Sequence, residues 1–177
     1  MKIKVENLYK NKDENSKLAG VATIILNDSI KINTIKIVRL NGNLFIAMPS
    51  VKIKGEFKDV IHPTTSELRT KIANAVLNAY KYNIFEDGTI EEFHISDIKI
   101  YKMNDEKCKA VLRIVFNDNI AIEYSYIIDN GRNSDGSVNI GLSFQVNKDD
   151  VPFVSILTED LREEVLEKTF KAYNSLI

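Results

Sequence analysis

The 177-residue sequence predicts an α+β fold of two tandem units, each a small antiparallel β-sheet with one C-terminal amphipathic helix, paired as an intramolecular pseudo-dimer. Three observations lead there: an internal repeat, period-2 apolar alternation around paired Asn-Asp turns, and an apolar stripe at helical spacing closing each half.

The repeat comes first because it fixes the organisation. Residues 19–32 overlay residues 109–122, with Asn27-Asp28 matching Asn117-Asp118 between alternating β-branched stretches, a hairpin signature. Upstream, Val5–Tyr9 matches Asp97–Tyr101; downstream, Leu68-Arg69, Ile72 and Ala79-Tyr80 match Leu161-Arg162, Val165 and Ala172-Tyr173. Four matches in one order at a nearly constant offset divide the chain into a first unit at 1–83, a linker at 84–92 and a second unit at 93–177. Each unit is expected to hold its own interior, not to share one undivided core.

In the first unit the apolar phase slips between Ile32 and Ile35, which predicts a β-bulge near Asn33-Thr34. Asn41-Gly42 tolerates positive φ, so Ile35–Leu40 and Leu44–Met48 should form a tight hairpin. Thr64-Thr65-Ser66-Glu67 offers a capping box after Pro63, starting a helix near Ser66 whose stripe is Leu68, Ile72, Ala75, Val76, Ala79 and Tyr80. The acidic segment that follows, with one glycine, reads as the linker.

In the second unit Ala110, Leu112, Ile114 and Phe116 form the inward face of a strand, continued across the hairpin by Ile120, Ile122, Tyr124, Tyr126 and Ile128. Thr158 is the expected cap of the last helix, Glu159 and Asp160 complement its dipole, and Leu161, Val165, Leu166, Phe170 and Tyr173 form its stripe.

Charge divides the halves. Residues 1–83 carry 14 Lys+Arg against 7 Asp+Glu, and residues 84–177 carry 10 against 18, so a net of +7 faces a net of −8. Such polarity suits either a polyanion bound by one half or mutual attraction of the two. A single cysteine fits a reducing compartment, and the alternating start of the chain lacks a signal-peptide core. No apolar run reaches the roughly 18 residues of a membrane span. A soluble, cytoplasmic protein is expected.

Residue types that often carry chemistry have simpler readings here. His62 and His94 are the only histidines, which is too few for a metal centre or a triad. His62 should brace the turn into the helix, and His94 should be a surface strand residue. Cys108, between Lys107 and Lys109, is a candidate for a lowered thiol pKa. Glu163, Glu164 and Glu167 read as a solvated helix face. Asn130–Gly136 has turn composition without a P-loop ending. Catalytic residues, metal ligands and cofactors are expected to be none.

Leu44-Phe45-Ile46-Ala47-Met48-Pro49-Ser50, followed by Gly55-Glu56-Phe57-Lys58-Asp59-Val60-Ile61-His62-Pro63, resembles the signature of the stage V sporulation protein G (SpoVG) family across residues 1–83. The resemblance implies a non-enzymatic bacterial regulator linked to sporulation and division-septum formation, with members that bind DNA or RNA and pair as small α+β homodimers. The second unit departs from the signature. Ile140-Gly141-Leu142-Ser143 stands where Ile46-Ala47-Met48-Pro49 is expected, and Ser155-Ile156 where His62-Pro63 is. The candidate nucleic-acid-binding residues are Lys52, Lys54, Lys58, Arg69 and Lys71, suited to phosphates and salt-sensitive binding. The alternative is a protein-interaction module whose acidic second copy masks the basic face. Exposed edge strands would also permit self-association.

Overall fold

Asn27 and Asp28 both adopt positive φ (47° and 54°), as do Asn117 and Asp118 (49° and 54°), so each pair reverses the chain within a tight turn. Asn and Asp enter the left-handed region more readily than other side-chain-bearing residues, which is why they stand here. The structure, a computed structural model, describes residues 1–176.

The first half runs β1 (Ile3–Lys10), β2 (Leu18–Leu26), β3 (Ile30–Leu40) and β4 (Asn43–Ala47) as an antiparallel meander. β5 (Ser50–Ile53) and β6 (Glu56–Asp59) make a separate two-stranded hairpin, and β7 (Ile61–Pro63) leads into α1 (Ser66–Tyr82). β8 (Glu86–Asp87), inside the predicted linker, pairs with β1. The second half repeats the plan with β9 (Ile95–Lys102), β10 (Cys108–Phe116), β11 (Ile120–Arg132), β12 (Val138–Ser143), β13 (Val154–Ile156) and α2 (Glu159–Asn174). The fold is α+β, with a helix closing each half.

The halves exchange strands. β7 leaves its own half to pair with β11, setting Ile61, His62 and Pro63 opposite Ile122, Ala121 and Ile120. β13 returns the exchange by pairing with β3, with Val154, Ser155 and Ile156 opposite Ile32, Lys31 and Ile30. Flanking bonds repeat the symmetry: Glu123 N–H donates to Val60 O (2.7 Å) and Thr64 N–H to Asn119 O (2.8 Å), while Asn33 N–H donates to Phe153 O (2.8 Å) and Leu157 N–H to Ser29 O (2.7 Å). Ser155-Ile156 therefore occupies the register of His62-Pro63.

This exchange corrects the expectation of two separate interiors. One continuous apolar cluster runs from Ile3, Ile24 and Ile37 through Ile61, Ile72 and Phe116 to Ile127, Val154 and Val165. Once a strand of each half is built into the other's sheet, its buried side chains join both interiors.

The Asn41-Gly42 turn (φ 49° and 77°) joins β3 to β4 as predicted, and the bulge at Asn33-Thr34 is present, with Thr34 at φ 66°. The second half carries an equivalent bulge that the alternation hid. Tyr124 sits at φ 54° and the register shifts between Leu112 and Ile114. The inward face of β11 is therefore Ile120, Ile122, Ser125 and Ile127, not Tyr124, Tyr126 and Ile128, because a bulge inverts every later side chain. The register also places Leu142 opposite Ile127 as Ile46 lies opposite Ile37, so Leu142-Ser143 corresponds to Ile46-Ala47, correcting the sequence overlay.

Thr65 is the N-cap of α1, its hydroxyl accepting from Leu68 N–H. Thr158 takes the same position in α2 without a side-chain capping bond. In α2 the buried residues are Leu161, Val165, Thr169 and Tyr173, with Leu166 and Phe170 only half-buried. No helix among the described residues is long and apolar enough to cross a membrane.

Candidate nucleic-acid interface

The β5–β6 hairpin turns through Lys54 and Gly55, both at positive φ (49° and 89°), and is held at its foot by Val60 N–H donating to Pro49 O (2.8 Å). It is hydrogen-bonded as a strand to neither large sheet. Its cross-strand register sets Lys52 opposite Phe57 and Val51 opposite Lys58. Lys52, Lys54 and Lys58 are exposed, as are Arg69 and Lys71 in the first turns of α1.

The five cations differ in what already holds them. Lys58 pairs with Glu56 (2.6 Å) and Lys71 with Glu67 (3.1 Å), both exposed pairs worth little in water. Lys52, Lys54 and Arg69 have no carboxylate within ion-pairing distance among the described residues, although an Arg69 guanidinium nitrogen donates to Pro63 O at 3.4 Å.

Four of them line three different grooves. Lys58 and Arg69 line an open groove with Phe57, Asp59, His62, Glu123 and Tyr124. Lys52 faces a second groove with Lys36 and Lys148, and Lys71 a third beside Thr65 and Asn119. Three participants escaped the sequence reading. Lys148 reaches Lys52's groove only through the fold, and Glu123 reaches His62 only through strand exchange. Phe57 was legible, since it stands in Gly55-Glu56-Phe57-Lys58 where a solvated hairpin should carry a polar side chain.

His62 braces the opposite half, where the sequence suggested the turn into its own helix. Its Nε2 meets Glu123 Oε1 at 3.1 Å and its Nδ1 meets Pro63 O at 3.2 Å. Arg113 Nε donates to the same Glu123 oxygen (2.8 Å), and Asp97 lies 3.7 Å from the Arg113 guanidinium. With an acceptor at each ring nitrogen, the imidazolium donates twice, whereas a neutral ring leaves a lone pair facing an oxygen. The Glu123 hydrogen bond accordingly raises the His62 pKa above its usual value against the opposing effect of burial. Burial pushes Glu123 up, but hydrogen bonds from His62 and Arg113 outweigh it and hold the carboxyl below its ordinary value.

The linkage signs follow. A raised His62 pKa adds stability that is complete below the unfolded value of 6.5 and is lost as pH rises through the folded one. A lowered Glu123 pKa adds stability that is present above 4.5 and is lost as pH falls. The network is therefore expected to stabilise most between those values. Urea unfolding across pH should show His62→Asn removing a contribution of about 1 kcal/mol at pH 5.5 and less at pH 8, since solvent screens a half-exposed pair. An equal loss at both pH values would show that His62 acts through packing alone.

Two other expectations are corrected. Burial and Asp105 push the Cys108 thiol pKa up, reversing the lowering expected from its lysine neighbours. Glu164 is not merely solvated, for its carboxylate accepts from Ile95 N–H (3.1 Å) and pairs with Lys168. His94 is exposed, as expected, but lies just before β9 and not within a strand, its backbone N–H donating to Asn117 Oδ1 (2.8 Å). No cluster of three His, Cys, Asp or Glu side chains suited to a metal ion occurs among the described residues.

Comparison with known proteins locates the similarity in the half that carries the hairpin. Residues 1–82 match the SpoVG family model. Among relatives named "Putative septation protein SpoVG", that of Desulforudis audaxviator is 39% identical over 70 residues, covering 39% of this chain and 80% of the relative. That of Macrococcus caseolyticus is 36% identical over 83 residues, covering 46% of this chain and 72% of the relative. The Bacillus pumilus protein is 40% identical over 76 residues, covering 42% and 78% respectively.

Proposed function

This chain belongs to the SpoVG family, and from that premise we propose that it is a nucleic-acid-binding regulator tied to division-septum formation and sporulation, acting in the cytoplasm. It contacts DNA or RNA phosphates through Lys52, Lys54, Lys58, Arg69 and Lys71. The observation that supports this most is the exposure of Lys52, Lys54 and Arg69 without acidic partners among the described residues, within the part of the chain that matches the family model. Cations in water beside open grooves release counterions from a polyanion with little discrimination among bases.

Fluorescence anisotropy of the full chain with labelled DNA and RNA oligomers tests this. Lys52, Lys54 and Arg69, the three cations without acidic partners, alone give an affinity that weakens about 20-fold for a single strand, or about 40-fold for a duplex, between 50 and 200 mM salt, and contacts by Lys58 and Lys71 steepen the loss. Binding that ignores salt would overturn the proposal.

A second reading is a protein-interaction module in which the acidic half masks the basic face. Asp149 in the groove of Lys52 and Glu123 in that of Arg69, both contributed by the second half, favour it. Because β13 is built into the first half's sheet, masking is tested in the full chain and not with residues 1–83 alone. Masking requires Asp149→Asn to tighten nucleic-acid binding more than threefold. A change below threefold favours open binding.

A further inference from the structure

Phe57 is 72% exposed, more than any other large apolar side chain among the described residues. Leaving a phenyl ring in water forgoes the burial that aromatic side chains ordinarily supply, so its neighbours matter. Lys52 lies directly across the hairpin, Lys54 and Gly55 form the turn, and Lys58 follows in sequence. Towards the body, the groove that Phe57 lines also holds His62, Arg69 and Tyr124. An exposed ring thus lies among Lys52, Lys54, Lys58 and Arg69, with Glu56, Asp59 and Glu123 also near it, on a two-stranded element that belongs to neither large sheet.

We propose that Phe57 is a base-stacking platform and that the nucleic acid taken at this hairpin is single-stranded. The inference rests on the reading of this face as a nucleic-acid interface and adds the class of substrate. In a duplex the bases are stacked on one another and their faces are closed to a side chain. An exposed ring on this hairpin reaches a base face only where that base is unpaired. The cross-strand pair then divides the work, with Phe57 stacking on the base while Lys52 and Lys54 neutralise neighbouring phosphates. Stacking accepts any base, so the site selects for unpaired structure and not for sequence. The cations select this occupant over an apolar protein segment, which would leave Lys52, Lys54 and Arg69 without counter-charges.

The test uses the full-length chain with Phe57→Ala and Phe57→Trp, and as probes a 15-nucleotide thymidine strand, the matching uridine strand and a 15-base-pair duplex. The native chain has no tryptophan, so Phe57→Trp introduces a single emitter at the site. Phe57→Ala is expected to weaken binding to the thymidine or the uridine strand about tenfold and duplex binding less than twofold, with an unaltered thermal midpoint. Phe57→Trp keeps single-strand affinity, and its emission is quenched by the single strand and not by the duplex. Equal affinity of Phe57→Ala for the single strands, or an equal loss on duplex and single strand, overturns the inference, as does unquenched tryptophan emission. If the duplex still binds and Lys52/Lys54/Arg69 substitution abolishes that binding, only the stacking assignment falls. If the native chain binds none of the probes, the functional reading falls with it, and the exposed ring belongs to a protein-docking face.

Discussion

Replacing Ile61 by alanine is expected to destabilise the entire chain by about 3–4 kcal/mol, in one transition. Ile61 is fully buried on β7, opposite the equally buried Ile122 of the other half. Removing three carbons there loses their transfer free energy and leaves a cavity between well-packed strands. The cooperativity is the sharper part of the expectation. β7 is continuous with α1 in the first half yet hydrogen-bonded into the second half's sheet, and β13 mirrors it, so neither half loses its core alone. Urea unfolding followed by circular dichroism should show the midpoint falling at an unchanged slope, while Ile90→Ala, at a 59% exposed position, stays within about 0.5 kcal/mol of the native chain. A two-step curve in which only one step moves would mean that the halves fold independently.

Replacing Lys52, Lys54 and Arg69 together by alanine is expected to weaken nucleic-acid binding about 100-fold for a single strand at 0.1 M salt, and about 500-fold for a duplex. All three are exposed and none anchors the fold through an ion pair among the described residues, so the thermal midpoint should scarcely change. Lys58→Ala and Lys71→Ala should each cost less, because Glu56 and Glu67 already neutralise those cations in part. A triple variant that binds like the native chain would remove these residues from the interface.

Much of the architecture could be read from residue types because local chemistry dictated it. Asn27-Asp28, Asn117-Asp118 and Asn41-Gly42 turn where their tolerance of positive φ allows, and Thr65 caps where a hydroxyl can meet a free amide. The bulge at Tyr124 was not legible, since Tyr124, Tyr126 and Ile128 continue the apolar period past it while the residue it turns inward is the polar Ser125. Thr34 lies in a stretch where the same slip moves polar residues across the pattern, so it was visible. Strand exchange leaves no local mark, because β7 and β13 are three residues each and suit either sheet equally. Everything that depends on exchange was therefore hidden: the shared core, the His62–Glu123–Arg113 network, and the approach of Lys148 to Lys52. Opposite net charge distinguished the two halves but said nothing of where Asp149 and Glu123 enter the basic grooves.

The most direct measurement is the dependence of log affinity on log salt concentration for the native chain and for the Lys52/Lys54/Arg69 triple variant, on the same labelled strand. Three lost phosphate contacts should flatten the slope by about 2–3. Identical slopes would mean that those side chains never met the phosphates.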